Sequence, residues 1–393
     1  MERIEEVGRK MIPTYNECLE IVKANDSFFM SIVEVQGYKV VMFNYRIASY
    51  GDFNCPIKDK PEIKAYELRG LTFVQQNDGS MKRFIMLHKF FNMGETEGYL
   101  LKDVKDKKIV SVQNKFDGSL IRFIRLPNGN VVAKTKMSFD NDQSRMAQEI
   151  YDNDEKLQEF INTSLKLNRS ALFEFVGPSN RIVLRYKEHK LVLLQERSEN
   201  GKYRNIELVN KIYGINIAEA EEYPDYTVED LKERAKTEEN IEGWVVTLDD
   251  GQILKIKTAQ YFQLHHLRTN CMDKENYIIQ AIIDENVDDI FAQLDENDDD
   301  VRDNIRDIEK KISQYYNTTA SKIYDTVFYE FDPNKRKKFA LKYKDTPEFP
   351  MMMALVAKGE VTVQNATDVV KEHILKRTKK LIGAVKFLND LDK

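Results

Sequence analysis

The sequence predicts an α+β fold in which a sheet-rich body, residues 1–270, precedes an all-helical C-terminal domain, residues 271–393. From Phe28 to about Phe262, short runs of β-branched and aromatic residues alternate with turn residues, a pattern typical of antiparallel sheets. After Tyr261, apolar residues recur at helical spacing and strand-like alternation almost disappears. We therefore place the domain boundary within residues 267–276.

The body contains distinct strand and hairpin signals. Two of its predicted strands, Leu120 to Arg125 and Val131 to Lys136, are joined across Pro127-Asn128-Gly129, as in a hairpin. A third strand is predicted at Ile109 to Gln113. Helical periodicity interrupts this pattern, and the resulting helices are expected to flank the sheets. They are predicted at Glu5 to Ala24, Ser144 to Leu167 and Val228 to Thr237.

The C-terminal part shows helical periodicity in four segments. These are Tyr277 to Ala292, Asp299 to Tyr329, Pro350 to Lys358 and Ala366 to Leu391. The acidic run Asp295 to Asp300 is interpreted as a solvated connection between helices, because it lacks the glycine and the ligand spacing of a calcium loop.

Composition limits the classes of function. The formal net charge of −5 gives no global positive field, so any nucleic acid must be bound by basic residues gathered locally. Cys18, Cys55 and Cys271 have no paired spacing, which argues against a zinc site and a disulfide framework. The acidic N-terminus and the lack of a long apolar run predict a cytoplasmic protein with no membrane partner.

The most specific chemical signal is Lys115-Phe116-Asp117-Gly118, between two predicted strands. Alone, the pattern is far more often a coincidental strand end or turn. Its weight comes from charged residues that follow in strand contexts. In order, these are Glu174, Glu242 before Gly243, and the alternating Lys255 and Lys257. Each has a structural reading, as a turn before a strand or a solvated strand face, but the ordered set is improbable by chance.

This set suits nucleotidyl transfer to an amine. A lysine attacks an α-phosphate only as the neutral amine, so its ordinary pKa of about 10.4 has to be lowered by desolvation or by nearby cations. Lys255 and Lys257 alternate in a strand and therefore share one face, where they can supply such cations and neutralise phosphate charge. Glu174 and Glu242 are then candidate ligands of ribose hydroxyls or of a metal ion.

These residues resemble the nucleotidyltransferase motifs shared by polynucleotide ligases and mRNA capping enzymes, and in detail those of the RNA ligase 1 family of tailed phages. The likeness runs from about Tyr45 to Ala292. Leu68-Arg69-Gly70 is similar to the family's Arg-Gly element, and Lys89-Phe90-Phe91-Asn92 to its Lys-Phe-Phe-Asn element. The resemblance implies that Arg69 and Lys89 bind the ATP phosphates and that Phe91 stacks on adenine. It also implies a nucleotide-pocket role for Tyr45, whose alternative is a core aromatic of a strand.

Further matches complete the implied site. Lys134-Thr135-Lys136 is similar to an element in which the second lysine acts, Phe173 to Val183 is the longest match, and Tyr261 closes the set. The resemblance implies a catalytic set of Lys115, Asp117, Gly118, Lys136, Glu174, Glu242 and Tyr261. The nucleotide-binding set it implies is Tyr45, Arg69, Lys89, Phe91, Lys115, Glu174, Glu242, Lys255 and Lys257. Three positions depart from the family pattern without removing a needed chemical group, namely Phe116, Met137 and Trp244.

Metal and RNA contacts are also implied. The family places metal-linked acids where Asp288 and Asp289 lie, and Glu174 is a third metal candidate. For the two aspartates, the favourable position of acids at the positive end of a helix dipole is the preferred explanation. The basic runs Lys335 to Lys338 and Lys376 to Lys380 are candidate phosphate contacts or solvated helix faces.

The resemblance implies an ATP-dependent RNA ligase that forms lysyl-AMP, transfers AMP to an RNA 5′-phosphate and joins that end to a 3′-hydroxyl. Mg²⁺ is the expected metal, with Mn²⁺ as a substitute. The expected partner is RNA with single-stranded ends, such as a tRNA cleaved in its anticodon loop, repaired by a monomer during phage infection. The alternatives are a DNA ligase, a capping-type guanylyltransferase or a catalytically idle RNA-binding homologue. The first two typically continue into a small β-barrel domain, whereas this chain turns helical.

Overall fold

The computed structural model describes residues 12–180, 184, 186–218, 220–221, 226–259, 261, 275–292, 294 and 299–392. The chain forms two compact units. The first comprises Met1–Ile21, Met30–Asn44 and Phe53–Arg268, and the second comprises Val22–Phe29, Tyr45–Asp52 and Thr269–Lys393. The mixed α+β class and the all-helical C-terminal region are confirmed. The division into domains at residue 270 stays a prediction.

The strands lie within the body of the chain. They are β1 (Phe28–Val35), β2 (Tyr38–Tyr45), β3 (Leu71–Gln75), β4 (Met81–Phe84), β5 (Phe91–Asn92), β6 (Ile109–Asn114), β7 (Ser119–Arg125), β8 (Val131–Lys134), β9 (Ser170–Val176), β10 (Lys190–Arg197), β11 (Tyr203–Arg204), β12 (Ala220–Glu221), β13 (Gly243–Leu248) and β14 (Ile253–Lys257). The helices before residue 270 are α1 (Tyr15–Ala24), α2 (Tyr50–Asn54), α3 (Leu101–Val104), α4 (Asp142–Asp152), α5 (Glu155–Lys166), α6 (Glu207–Tyr213) and α7 (Val228–Ala235).

Three sheets organise these strands. Their orders are β1-β2-β3-β4, β11-β10-β9-β7-β8 and β12-β6-β13-β14-β5. Most pairs are antiparallel, as predicted, but β5 and β14 pair in parallel. The loop from Lys115 to Gly118 leaves β6 of the third sheet and enters β7 of the second, so it connects the two sheets that carry the candidate carboxylates.

The prediction of a single helix over Ser144 to Leu167 is wrong. This segment forms two helices, α4 and α5, which are separated at Asn153 and Asp154. The Asp154 carboxylate accepts a hydrogen bond from the backbone N–H of Leu157 at 3.0 Å, which caps a new helix rather than continuing the old one. Both helices pack on the second sheet in one apolar cluster with Phe123 and Phe173.

The second unit contains the C-terminal helices. They are α8 (Glu275–Ile283), α9 (Val287–Phe291), α10 (Asp299–Glu330), α11 (Arg336–Tyr343), α12 (Phe349–Ala357), α13 (Val363–Thr378) and α14 (Leu381–Leu391). The segments 277–292 and 366–391 are each predicted as one helix, and each contains parts of two helices in the structure. Within the first, Glu285 has a left-handed φ of 60°, which interrupts helical hydrogen bonding. Within the described ranges, no helix combines the length and the apolar character that crossing a membrane requires.

The second unit also includes short segments from early in the chain. Ile47, with a φ of 43°, belongs to the apolar cluster of the C-terminal helices. The buried Arg46 donates to the hydroxyls of Thr367 and Ser321, each at 3.1 Å. The helical core is therefore assembled from residues that lie more than 250 positions apart.

Candidate active site

Strand register in the third sheet brings the candidate lysines together. The central strand β13 has β6 on one side and β14 on the other. Trp244 is opposite Asn114 on β6, and Gly243 is opposite Lys257 on β14. The backbone N–H of Lys115 donates to the Gly243 carbonyl at 2.8 Å. One edge of the third sheet therefore carries Lys115, which follows β6, Glu242, which precedes β13, and Lys257, the last residue of β14.

The carboxylate of Glu242 lies between two lysines at this edge. Its Oε1 is 2.7 Å from Nζ of Lys115 and 3.4 Å from Nζ of Lys257. Burial acts to raise the pKa of the Glu242 carboxyl, but the two lysines outweigh it and hold that pKa below its usual value. The Lys115 side chain keeps 24% of its surface exposed, so its amine is accessible to a ligand.

Asp117 is held rigidly in the same loop. Its carboxylate is 1% exposed and accepts hydrogen bonds from the Leu184 backbone at 2.7 Å and from the Tyr261 hydroxyl at 3.2 Å. Its own N–H donates to the hydroxyl of Tyr186 at 3.0 Å. Nζ of Lys257 lies 5.2 Å above the Tyr261 ring. Tyr261 therefore contacts two other predicted site residues, Asp117 and Lys257.

Two glycines permit the close packing of this edge. A Cβ on Gly118 would lie 2.3 Å from the carbonyl oxygen of Phe175. A Cβ on Gly243 would lie 2.0 Å from the carbonyl oxygen of Ile256, and Gly243 has a φ of 145°. Both positions exclude larger residues, because no real Cβ approaches a backbone atom so closely.

Glu174 approaches the site from β9 of the second sheet, opposite Leu120. Burial raises the pKa of its carboxyl to about 7, although Lys115 and Arg69 lower it and Glu242 raises it further. These electrostatic effects place Glu174 near both Lys115 and Arg69. A carboxyl that titrates near neutrality beside a nucleophile-type lysine is typical of a functional site.

The loop that carries Arg69 is anchored by backbone contacts. Gly70 has a φ of 80°, and a Cβ there would lie 2.8 Å from the Lys136 carbonyl oxygen. Lys134 is fully buried and donates to the carbonyls of Gly70 at 3.3 Å and Thr135 at 2.8 Å. Burial lowers the pKa of Lys134 to about 7, with a smaller contribution from Arg122. The predicted Lys136 therefore neighbours the Arg69 loop through its backbone.

Aromatic rings surround the predicted Lys89. Its Nζ lies 4.9 Å above the Phe91 ring and 4.0 Å from Oε1 of Glu95. Phe91 is 1% exposed and makes edge contacts with three rings, those of Phe53, Tyr66 and Tyr99. That is the environment of a core aromatic, so adenine stacking by Phe91 stays a prediction that the geometry does not favour. Nζ of Lys255 lies 5.9 Å above the partly exposed ring of Phe90.

Three predicted residues lie in the second compact unit. Tyr45 is the buried last residue of β2, and Asp288 and Asp289 are in α9. Among the residues that the structure describes, no group of three or more His, Cys, Asp or Glu side chains is arranged to hold a metal ion. The metal-binding roles of Asp288, Asp289 and Glu174 therefore stay predictions.

A protein-family model described as RNA ligase matches residues 67–277, just over half of the chain. The chain belongs to the RNA ligase family. The matched segment contains Arg69, Lys115, Glu174, Glu242 and Tyr261. The prediction of an RNA ligase is thus confirmed at the level of the family.

Individual relatives of this RNA ligase family member are distant. The chain is 27% identical over 291 residues to a putative RNA ligase of Thermovibrio ammonificans, covering 72% of each chain. An archaeal ATP-dependent RNA ligase structure matches with a TM-score of 0.48 at 16% identity, covering 94% of this chain and 98% of that one. A Naegleria gruberi RNA ligase variant without ligand matches with a TM-score of 0.38 at 12% identity, covering 66% and 84%.

Several supporting residues of this RNA ligase were not predicted from sequence. Arg197 makes a buried bidentate ion pair with Glu67, at 2.7 and 3.0 Å, and the Glu67 carbonyl accepts from the Arg69 N–H at 2.7 Å. This ion pair therefore holds Glu67 in place, two positions before Arg69. The residues of this pair are 130 positions apart, and no local pattern signals such a contact.

Proposed function

We propose that this chain is an ATP-dependent RNA ligase that carries AMP covalently on Lys115. One observation supports this most strongly: the Lys115 amine is partly exposed and held at 2.7 Å by a carboxylate that also binds Lys257. That arrangement orients an amine beside a second cation, as attack on a phosphate requires.

The chemistry proceeds in three transfers. The Lys115 ammonium loses a proton to water, and its neutral Nζ attacks the α-phosphorus of ATP and releases a second proton. A P–N bond forms while the bond to the bridging oxygen breaks and pyrophosphate leaves. A 5′-phosphate oxygen of RNA then attacks the same phosphorus, and the P–N bond breaks as the nitrogen takes up a proton, which restores the amine. Finally, a 3′-hydroxyl loses its proton to water and attacks the activated 5′-phosphate, and AMP leaves with the electron pair.

The remaining site residues position groups and neutralise charge. We assign Arg69, Lys89, Lys255 and Lys257 to the triphosphate, and Glu242 to orientation of the Lys115 amine. Asp117, Lys136 and Tyr261 are assigned to the later transfers, with Gly118 as the steric requirement of the loop. Tyr45 is assigned to the nucleoside, whereas the packing of Phe91 among three rings favours a core role over adenine stacking.

A divalent cation fits the donors present. Glu174 is a carboxyl whose pKa is raised to about 7 chiefly by burial, so a bound cation would favour its ionised form. Mg²⁺ is commonly held by one or two carboxylates together with substrate phosphates and waters, so a three-residue protein cage is not required. When bound, the ion would neutralise phosphate charge. We assign Mg²⁺ to Glu174, with Mn²⁺ as a substitute and Asp288 and Asp289 as further candidates.

The RNA substrate is assigned to the helical C-terminal domain. Its basic runs, Lys335 to Lys338 and Lys376 to Lys380, supply phosphate contacts that recognise shape rather than sequence. We propose a structured RNA, such as a tRNA cleaved in its anticodon loop, repaired in the cytoplasm by a monomeric enzyme during phage infection.

The alternatives are less well supported. Membership of the RNA ligase family argues against a DNA ligase or a capping-type guanylyltransferase. A catalytically idle homologue would have no need to keep Lys115, Glu242 and Lys257 in contact at an edge where Lys115 is exposed.

The test is label transfer. The chain is incubated with Mg²⁺ and either α-labelled ATP or α-labelled GTP and then run on a denaturing gel. We expect label from ATP alone, none with Lys115→Ala or Lys115→Arg, and normal label with the control Lys108→Ala, an exposed lysine just before β6. Label that persists in Lys115→Ala would overturn the nucleophile assignment, and label from GTP would indicate a capping-type enzyme.

A further inference from the structure

A basic pocket lies in the first compact unit, away from Lys115. It is lined by residues from β4, from β7, and from the turn between α5 and β9. Its charged lining residues are Lys82, Arg83, Arg122, Arg125, Arg169 and Glu199. Five cations against one acid is unusual in a chain whose net charge is −5, so the pocket is a local concentration of positive charge.

Most cations of this basic pocket have no ion-pair partner among the described residues. Arg169 is the exception, with Glu196 at 3.4 Å. Arg83 donates to the carbonyl oxygens of Ile12 and Pro13, at 3.1 and 3.4 Å, and helps to lower the pKa of the Glu17 carboxyl without forming an ion pair with it.

Arg122 is the residue that identifies a ligand site. It is 3% exposed, and its Nε has no hydrogen-bond acceptor among the described residues. One terminal nitrogen donates to the Ile85 carbonyl, and its guanidinium lies 5.1 Å from the Phe84 ring centre. Burial, and secondarily Arg197, lower the pKa of Arg122 to about 9. Arg122 thus adds a buried guanidinium, with one donor unused among the described residues, to the wall of a pocket rich in positive charge, and an anion bound there would compensate that charge.

We infer that this basic pocket binds a phosphoryl group, and that its natural occupant is a backbone phosphate of the RNA substrate. Guanidinium groups match phosphate oxygens in bidentate geometry, and four arginines converge here. Along β7, Arg122 is three residues from Ser119 and Arg125 is six, or roughly 10 and 20 Å at about 3.3 Å per residue. An RNA strand whose end is at Lys115 reaches that distance within a few nucleotides. The RNA part of this inference rests on the proposed function.

The test uses the full-length chain and a double variant, Lys82→Gln with Arg125→Gln, which changes two partly or fully exposed residues. The matched control is Lys102→Gln with Lys105→Gln, which removes the same charge from the exposed surface at α3. Fluorescence anisotropy measures binding of a 5′-phosphorylated oligoribonucleotide over a range of salt concentrations. Unfolding midpoints confirm that both variants are folded.

Loss of this one phosphate contact should reduce the slope of log K against log salt by about 0.7 relative to the control, since each neutralised phosphate contributes about 0.7 for single strands. Sealing of an oligonucleotide too short to reach the pocket should be unaffected. An unchanged slope and affinity would overturn the inference.

Two further measurements are made. The first distinguishes free phosphate from RNA as the occupant of the pocket, and the second distinguishes failure of this inference from failure of the proposed function. Inorganic phosphate is titrated against the unfolding midpoint. If phosphate stabilises the wild type but not the double variant while RNA binding is equal in both, the pocket takes free phosphate and the RNA assignment is wrong. Lysyl-AMP formation should be equal in wild type and double variant. Its absence in both would refute the proposed function without affecting the anisotropy result.

Discussion

The hydroxyl of Tyr261 donates a hydrogen bond to the buried carboxylate of Asp117, 3.2 Å away and 144 residues earlier in the chain. We expect Tyr261→Phe to leave Asp117 short of a donor, which costs roughly 1–3 kcal/mol for a buried group. Chemical denaturation should show that loss, and transfer of AMP from Lys115 to RNA should slow about tenfold, which corresponds to about 1.4 kcal/mol. Tyr213→Phe is the control, because Tyr213 packs against Phe160 through its ring. Equal behaviour of the two variants would show that the hydrogen bond is dispensable.

Lys255 and Lys257 should differ in the pH dependence of adenylation. The variants Lys255→Ala and Lys257→Ala are each expected to slow lysyl-AMP formation, because each substitution removes a cation from the phosphate site. Lys257→Ala also removes one of the two lysines that hold the pKa of Glu242 down, so that pKa should rise. The acidic limb of its rate profile should therefore move to higher pH, while that of Lys255→Ala stays in place. Normal adenylation rates in both variants would show that neither Lys255 nor Lys257 serves the phosphate site.

Glu174 should make stability depend on pH. The pKa of its carboxyl is 4.5 in the unfolded reference and about 7 in the fold, so the folded chain binds more protons between these values. Stability should therefore fall as pH rises through this window, by at most roughly 3 kcal/mol. Urea denaturation without divalent cations should show a smaller fall for Glu174→Gln. The control is Glu149→Gln, on the exposed face of α4, which should retain the wild-type pH profile of stability. A wild-type profile for Glu174→Gln would show that the assignment is wrong.

Gly118→Ala should disrupt the nucleophile loop by sterics alone. The new Cβ would meet the Phe175 carbonyl oxygen at 2.3 Å, and overpacking of this kind costs roughly 1–3 kcal/mol. Adenylation should fall at least about tenfold, because Lys115 is three residues away in the same loop. Gly51→Ala is the control, since its Cβ would lie at an ordinary 3.6 Å from the Ser49 hydroxyl. Wild-type adenylation by Gly118→Ala would show that the loop adjusts without cost.

A truncation ending near Asn276 should retain lysyl-AMP formation and lose selective sealing of a nicked anticodon loop, with sealing of an unstructured oligonucleotide retained. The structure adds a design requirement, because Ile47 packs in the core of the C-terminal helices. The truncate should therefore also carry Ile47→Asn, which removes the uncovered apolar side chain and suits the left-handed φ there. Loss of the adenylate in a truncate that is shown to be folded would assign part of the active site to the helical domain, with Asp288 as a candidate.

The sequence was sufficient for the elements whose signals are local. The order of charged residues identified Lys115, Glu242 and Lys257, and the pairing of β13 with both neighbours brings them together. Alternation along β14 correctly indicated a shared face for Lys255 and Lys257. The helix over Ser144 to Leu167 failed because the Asp154 cap interrupts an apolar pattern that continues on both sides of it.

Burial and long-range contacts could not be predicted in this way. Lys134, one of two neighbouring lysines in Lys134-Thr135-Lys136, is fully buried, and a polar strand residue does not show in advance which face will be covered. Phe90 and Phe91 are adjacent and chemically identical, yet Phe91 is the one packed among three rings. Such distinctions depend on the packing of sheets far apart in sequence.

The inclusion of Val22–Phe29 and Tyr45–Asp52 in the helical unit has a consequence during protein synthesis. These segments leave the ribosome on the order of 200 residues before Thr269 does, which corresponds to roughly 10–40 s at about 5–20 residues per second. Throughout that interval Ile47 lacks the C-terminal helices that cover it in the folded chain, although the strands that follow can already pair. The nascent chain therefore exposes this apolar residue until the last helices have been made.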